Sequence, residues 1–306
     1  MKEQRPSPAG VIDSLGLGFA LTARRPYLAL LPLVLAIALL FLPAWRAPAQ
    51  AEKVLGAIGH ALLSRSGTPS QAFDVAQQVG GLEKAFAHAN LLRLLAWQVP
   101  ILNLPPYGAS LVWEGSMLST LGFLGGLGMA GLLLASLYLA PVGNAVTGRP
   151  RPLAWAVLRG WLALLGYRLL LGALVAVVLL IAVLLVAVAM LLSPVLASLF
   201  AGLLVGVLFL VLFYLFLVEE AVFVEGVGPV EGMLRSVRVV FNNFWPCLRF
   251  WVLTAILAVG LRILLERIAG SLPGALVASA LYAFIATGIT AASMVFYRER
   301  AAGLRA

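Results

Sequence analysis

Residues 169–218 read LLLGALVAVVLLIAVLLVAVAMLLSPVLASLFAGLLVGVLFLVLFYLFLV, without one charged side chain. A spanning α-helix needs about 20 consecutive apolar residues. The run holds two such segments, Leu169–Leu192 and Ala197–Val218, separated only by Ser193, Pro194, Val195 and Leu196. So short a link permits only a tight antiparallel turn. The stretch therefore predicts a transmembrane helical hairpin, because in hydrocarbon a lone segment must pair every backbone N–H and C=O within itself.

The rest of the chain agrees with this reading. Of 306 residues, 62% are hydrophobic and 11% charged, and the mean hydropathy is +1.04. Soluble domains carry about 25% charged residues, so the bilayer must act as solvent for most of this surface. Further apolar segments occur at Tyr27–Trp45, Leu118–Ala140 and Leu272–Tyr297. Leu248–Ile268 is apolar in its middle but carries Arg249, Arg262, Glu266 and Arg267. Arg262 and Glu266, four residues apart, share a helix face and can pair there. The expectation is an all-α membrane protein with six transmembrane helices, forming one polytopic domain over residues 1–306. Residues 94–113 are also uncharged, but Pro100, Pro105 and Pro106 interrupt them. Clustered prolines break a helix, so this segment reads as an interfacial or re-entrant lead-in to the second span, with a seventh span as the alternative.

Arginine sets the orientation. With the N-terminus inside, the inner segments hold Lys2, Arg5, Arg24, Arg25, Arg149, Arg151, Arg159, Arg168, Arg235, Arg238, Arg249, Arg298, Arg300 and Arg305, which is 14 of 21 basic residues. Basic residues favour the cytoplasmic side, so both termini are expected in the cytoplasm. Arginine outnumbers lysine 18 to 3, a bias that fits a G+C-rich prokaryote and hence the inner (plasma) membrane. Ala47-Pro48-Ala49 has the look of a cleavage site, but the preceding apolar run is long for a signal peptide, and a retained helix is the expectation. The net charge of +9 is dispersed among the spans and forms no basic stripe, so nucleic acid is not an expected partner.

A threefold pattern emerges upstream of the odd spans. Pro229 opens a helix with Val230, Met233, Leu234, Val237, Phe241 and Phe244 on one face and Glu231, Arg235, Arg238 and Asn242 on the other, an amphipathic stripe. Similar elements begin at Pro152 and at Pro8. The unit reads as amphipathic helix plus helical hairpin, three times, with Ser14, Ala156 and Ser236 as equivalent points. The alternative is that these segments simply lengthen the spans. Such helices suit an interface, with arginines toward anionic headgroups of membrane lipids. A helical extracytoplasmic insertion at about 46–117 enlarges the first unit. Leu55, Ile58 and Leu62 mark one helix in it, and Val75, Val79, Leu82, Phe86 and Ala89 a second.

Little in the chain reads as chemistry. Gly126-x-Gly128-x-x-Gly131 matches a dinucleotide fingerprint but lies inside a span instead of after a strand, so it is set aside. Gly122 and Gly126, and likewise Gly202 and Gly206, are GxxxG pairs that suit close helix packing in lipid. His60 and His88 lack companions at metal-ligand spacing, and Cys247 is the single cysteine, so no cofactor, metal or disulfide is expected. Glu219, Glu220 and Glu225 lie just beyond the fourth span. Pairing with Arg168, Arg235 or Arg238 is the structural reading, and a gate or substrate site the functional one.

The run from Val218 to Ser236, VEEAVFVEGVGPVEGMLRS, followed by Asn243-Phe244-Trp245, resembles the membrane domain of glycerophosphodiester phosphodiesterases and related uncharacterised prokaryotic multi-pass proteins. The specific likeness covers about 30 residues. The phosphodiesterase catalytic domain has no counterpart here, so the resemblance implies an architecture and no hydrolase activity.

Three functional readings follow. A non-catalytic scaffold or accessory subunit of a larger membrane complex fits the packing glycines and interfacial helices. A transporter or channel for a small solute or lipid would need a polar path, with Arg168, Arg262 and Glu266 as lining candidates. A lipid-modifying enzyme would need a cavity at the inner interface near Glu219, Glu220 and Arg235.

Overall fold

The structure, a computed structural model, describes residues 10–46, 90–102, 104–113, 115–148 and 151–304. The two helices expected within 55–89, and His60 and His88, lie outside these residues. Among the described residues the regular secondary structure is helical apart from two three-residue strands. The helices are α1 (Val11–Arg24), α2 (Leu30–Phe41), α3 (Met117–Thr147), α4 (Leu153–Leu192), α5 (Pro194–Tyr214), α6 (Pro229–Asn242), α7 (Phe244–Ile268) and α8 (Leu272–Gly303). A short helical turn, Val218–Glu220, and a π turn, Ala221–Glu225, lie between α5 and α6. Among the described residues five segments are long and apolar enough to cross a membrane: Leu118–Thr147, Leu153–Leu192, Pro194–Glu225, Phe244–Ile268 and Leu272–Gly303. The protein is an all-α membrane protein.

Local sequence explains the boundaries. Pro194 and Pro229 occupy first turns, where the missing N–H costs nothing and the fixed φ is already helical. The Ser193 hydroxyl accepts from the Val195 N–H at 3.3 Å and caps α5. At the start of α1 the Asp13 carboxylate accepts from the Gly10 N–H at 3.0 Å. Gly226 adopts φ 74° after the π turn, a left-handed conformation that glycine takes without steric cost.

Three expectations are corrected. First, Tyr27–Trp45 is not one helix. A 3-10 turn covers Pro26–Ala29, α2 ends at Phe41, and Trp45 lies in a strand. Twelve α-helical residues rise only about 18 Å, short of a hydrocarbon core of about 30 Å. A sixth span exists only if α1 and Pro26–Phe41 count as one broken span. Second, 94–113 is not a seventh span. Its described residues hold the end of a 3-10 helix, Leu91–Ala96, turns and irregular backbone, and the strand Ser110–Val112, as its prolines require. Third, the segment opening at Leu153 is not a separate amphipathic helix. It is continuous with its span in the 40-residue α4, about 60 Å long at 1.5 Å per residue. At that point the lengthening alternative is the correct one, whereas α1 and α6 are helices in their own right.

The chain divides into two compact units: residues 1–30, 135–264 and 281–306 in one, 31–134 and 265–280 in the other. In the second unit, β1 (Ala44–Arg46) and β2 (Ser110–Val112) pair in parallel, with Trp45 opposite Leu111. The Asn90 side-chain oxygen accepts from the N–H groups of both Trp45 and Leu92, each at 3.1 Å. Trp113 stacks on Phe123 at 4.6 Å and Trp45 on Phe123 at 5.4 Å. Gly131 leaves room for the Leu94 carbonyl against α3.

The first unit is built around the end of α8. Tyr297, Phe296 and Met294 are fully buried there, and Phe296 stacks on Phe250 of α7 at 4.3 Å. On α1, a Cβ at Gly18 would overlap the Ala292 backbone, while Gly288 accommodates the Phe19 ring. The two glycines thus let α1 and α8 approach closely, the role small residues play between helices in lipid. Tyr138 of α3 and Thr287 of α8 share a buried hydrogen bond at 3.3 Å.

Candidate functional site

The polar side chains of the first unit gather where α5 gives way to α6. Leu217, Val218, Ala221, Val222, Phe223 and Val224 are buried, so this acidic segment is pinned by its apolar members. Phe223 is the wedge. A Cβ at Gly160 would overlap its ring, and a Cβ at Gly143 would lie 2.8 Å from its carbonyl oxygen. Two glycines on different helices thus shape the slot that Phe223 fills. Ser236 of α6 locks the segment from the other side: its hydroxyl donates to the Tyr214 carbonyl at 2.8 Å and accepts from the Leu217 N–H at 3.2 Å.

With the backbone held, the three glutamates point to different partners. Glu219 pairs with Arg168 of α4 at 2.6 Å. Glu220 accepts from the Ser293 hydroxyl of α8, and its second oxygen is buried without a hydrogen-bond partner among the described residues. Glu225 accepts from the Tyr297 hydroxyl at 3.1 Å and pairs with Arg235, which also reaches Glu231 one turn back on α6.

Arginines surround Glu225. A cavity of about 440 Å³ is lined by Arg151, Arg235 and Arg298 together with Glu225, Thr147 and Ala301. A neighbouring hollow of about 280 Å³ adds Arg159, Asn144 and Trp155, and another of about 230 Å³ adds Arg238, Leu234 and Leu304. Backbone carbonyls hold two of the guanidinium groups: Arg151 donates to Val224 at 3.2 Å, and Arg298 donates to Val146. The Asn144 amide donates to the Arg151 carbonyl at 3.2 Å and fixes the start of α4.

The structure therefore brings Glu219 and Arg168 together, and Arg235 with Glu225, while Glu220 turns to Ser293. Arg262 and Glu266 are elsewhere, exposed on α7. The packing glycines also differ from expectation. Nothing lies within 4 Å of a Cβ built at Gly122, Gly126, Gly202 or Gly206. Close approaches inside the chain are made instead at Gly18, Gly131, Gly143, Gly160, Gly166 and Gly288. Sequence reasoning also missed Arg151, Arg298, Ser293 and Tyr297. In the sequence Arg151 and Arg298 read as topology signals, and nothing in their spacing links them.

Compared with models of known families, with curated proteins and with solved structures, the chain matches none.

Proposed function

We propose that this protein is a non-catalytic integral membrane subunit that binds another membrane protein through the α4–α5 hairpin. The observation that carries the reading is the hairpin's lack of cover. Between residues 169 and 212 only Ala189 and Ala197 are buried, near the turn where the two helices meet. Exposure to lipid costs apolar side chains little, so it does not by itself demand a partner. The glycines add the specific argument: Gly202 and Gly206 of α5 present one open face with nothing within 4 Å. A GxxxG face permits a third helix to approach at backbone distance, where packing and Cα–H contacts favour association. By the distribution of arginine, the protein sits in a prokaryotic inner membrane with both termini cytoplasmic. The likeness of residues 218–236 to a phosphodiesterase membrane domain bears on architecture and adds no activity.

The test compares wild type with the Gly202→Leu/Gly206→Leu double variant, each purified in native nanodiscs. A stoichiometric protein partner present with wild type and absent with the variant is the expected result. Cys247, fully buried, should stay protected from maleimide in both, since leucine at these positions meets open space. A wild-type protein that carries no partner, or a partner retained undiminished by the variant, refutes the proposal.

A further inference from the structure

The arginine-lined cavity around Glu225 has a charge that its own residues do not balance. Five arginines, at 151, 159, 235, 238 and 298, line the three adjoining hollows, against the glutamates at 225 and 231. Arg235 bridges Glu225 and Glu231, while Arg151 and Arg298 each donate to one backbone carbonyl. A guanidinium carries five N–H donors, so most of the donors on Arg151 and Arg298 remain available among the described residues. The main cavity, about 440 Å³, lies within the range of roughly 300–1,000 Å³ typical of small-ligand sites.

We propose that Arg151, Arg235 and Arg298 form a binding site for a phosphate-bearing anion. Planar guanidinium forks match phosphate oxygens in pairs, and three forks from separate segments of the chain can surround one phosphate. The elements fix them independently: Arg151 precedes α4, Arg235 lies on α6, and Arg298 lies near the end of α8. Glu225 holds the Arg235 fork in place and competes with the ligand for it. The surroundings indicate where the anion comes from. Val230, Leu234 and Phe241 are exposed along α6, and Leu234 also lines the hollow beside Arg235 and Arg238. An apolar stripe beside an arginine cluster lets acyl chains lie along α6 with a headgroup phosphate in the cavity. A soluble phosphate ester offers the same chemistry to the arginines but no contact for the stripe. The site is separate from the α4–α5 hairpin face and does not depend on it.

The test uses the full-length protein in nanodiscs of phosphatidylcholine with and without phosphatidylglycerol, and native mass spectrometry of retained lipid. Inorganic phosphate and phosphoethanolamine are titrated separately by thermal shift. Wild type should retain phosphatidylglycerol over phosphatidylcholine, and Arg298→Gln or Arg151→Gln should weaken retention about tenfold or more, the loss of one charge-assisted contact. Glu225→Gln should change it in the opposite direction, because it removes the competing carboxylate. Binding of inorganic phosphate or phosphoethanolamine that needs the same arginines, without preference among the lipids, would support the site with a soluble ligand as its source. Equal retention of both lipids together with no phosphate binding overturns the proposal, as does binding unchanged in both arginine variants. Protection of Cys247 from maleimide identifies folded variants, and Arg298→Lys, which keeps the charge but not the fork, separates phosphate geometry from simple charge: an intermediate loss is expected.

Discussion

The Phe223 wedge offers the sharpest test of how the acidic segment is held. Phe223 is 6% exposed, and its ring occupies the place where a Gly160 side chain would go. Removing the ring in Phe223→Ala leaves a cavity, a change that costs about 3–5 kcal/mol in protein cores. Adding a methyl in Gly160→Ala forces the ring aside, an overpacking cost of about 1–3 kcal/mol. The combined variant should not show the sum. Without the ring the new methyl has nothing to strike and fills part of the void, so the two changes should couple by about 1–3 kcal/mol. Cys247 provides the assay, since it is the chain's only cysteine and is fully buried. When opening is fast relative to labelling, each tenfold rise in maleimide rate reports about 1.4 kcal/mol. Phe223→Ala should then label about a hundredfold faster than wild type or more, Gly160→Ala about tenfold faster, and the double variant no faster than Phe223→Ala. If the two effects simply multiply, to within the ~0.5 kcal/mol expected of independent sites, Phe223 does not occupy the Gly160 slot and the packing argument is wrong.

Other outcomes follow from named contacts. Gly18→Leu should destabilise strongly because its Cβ would meet the Ala292 backbone, whereas Gly16→Leu, with nothing within 4 Å, should leave Cys247 labelling near the wild-type rate. Glu219→Gln should have a modest effect, about 1 kcal/mol or less, because the paired side chains of Arg168 and Glu219 are 30% and 29% exposed; a loss of folded protein in detergent would contradict this. In a Cys247→Ser background, cysteines placed at Trp97 and at Leu304 should react with an impermeant maleimide from opposite faces of the membrane, and labelling of both from one face would refute the arginine-based orientation. Ser236→Ala should weaken the joint between α5 and α6 by about 1–3 kcal/mol, since it leaves the buried Leu217 N–H unpaired; unchanged Cys247 protection would place that joint's strength elsewhere.

The parts of the fold legible in the sequence were those written as period or length. The α4–α5 hairpin follows from two uninterrupted apolar runs and a proline one residue past a serine cap, and α6 from an apolar stripe at steps of three and four. The first span is not legible in this way, because Tyr27–Trp45 has the length of a spanning helix but is divided among a 3-10 turn, a short helix and a strand. Pro26 and Pro43 set its limits, Arg25 breaks the helix before it, and Trp45 is drawn into a strand whose partner, Leu111, is remote in sequence. No local pattern could announce that pairing, since three-residue strands carry almost no period. The fusion of residues 153–162 into α4 was equally hidden: an amphipathic stripe shows that a helix forms, but not whether it stops.

The same distinction explains the site. In sequence Glu219, Glu220 and Glu225 form one acidic stretch with a common set of candidate partners, Arg168, Arg235 and Arg238. Yet residues within one or two positions on a helix point away from one another, and the three carboxylates find partners on three different helices, α4, α8 and α6. The cavity, conversely, is assembled from arginines that the sequence placed far apart and that were explained individually by topology. Positive-inside bias accounts for the presence of Arg151 and Arg298 at one end of their spans. It does not account for their meeting Arg235 and Glu225 in the lining of one cavity. Surface arginines that served topology alone would be free to spread into water and headgroups, where separation lowers their mutual repulsion. These are instead anchored to the carbonyls of Val224 and Val146, which holds like charges around a common cavity. The proposed anion would offset that repulsion.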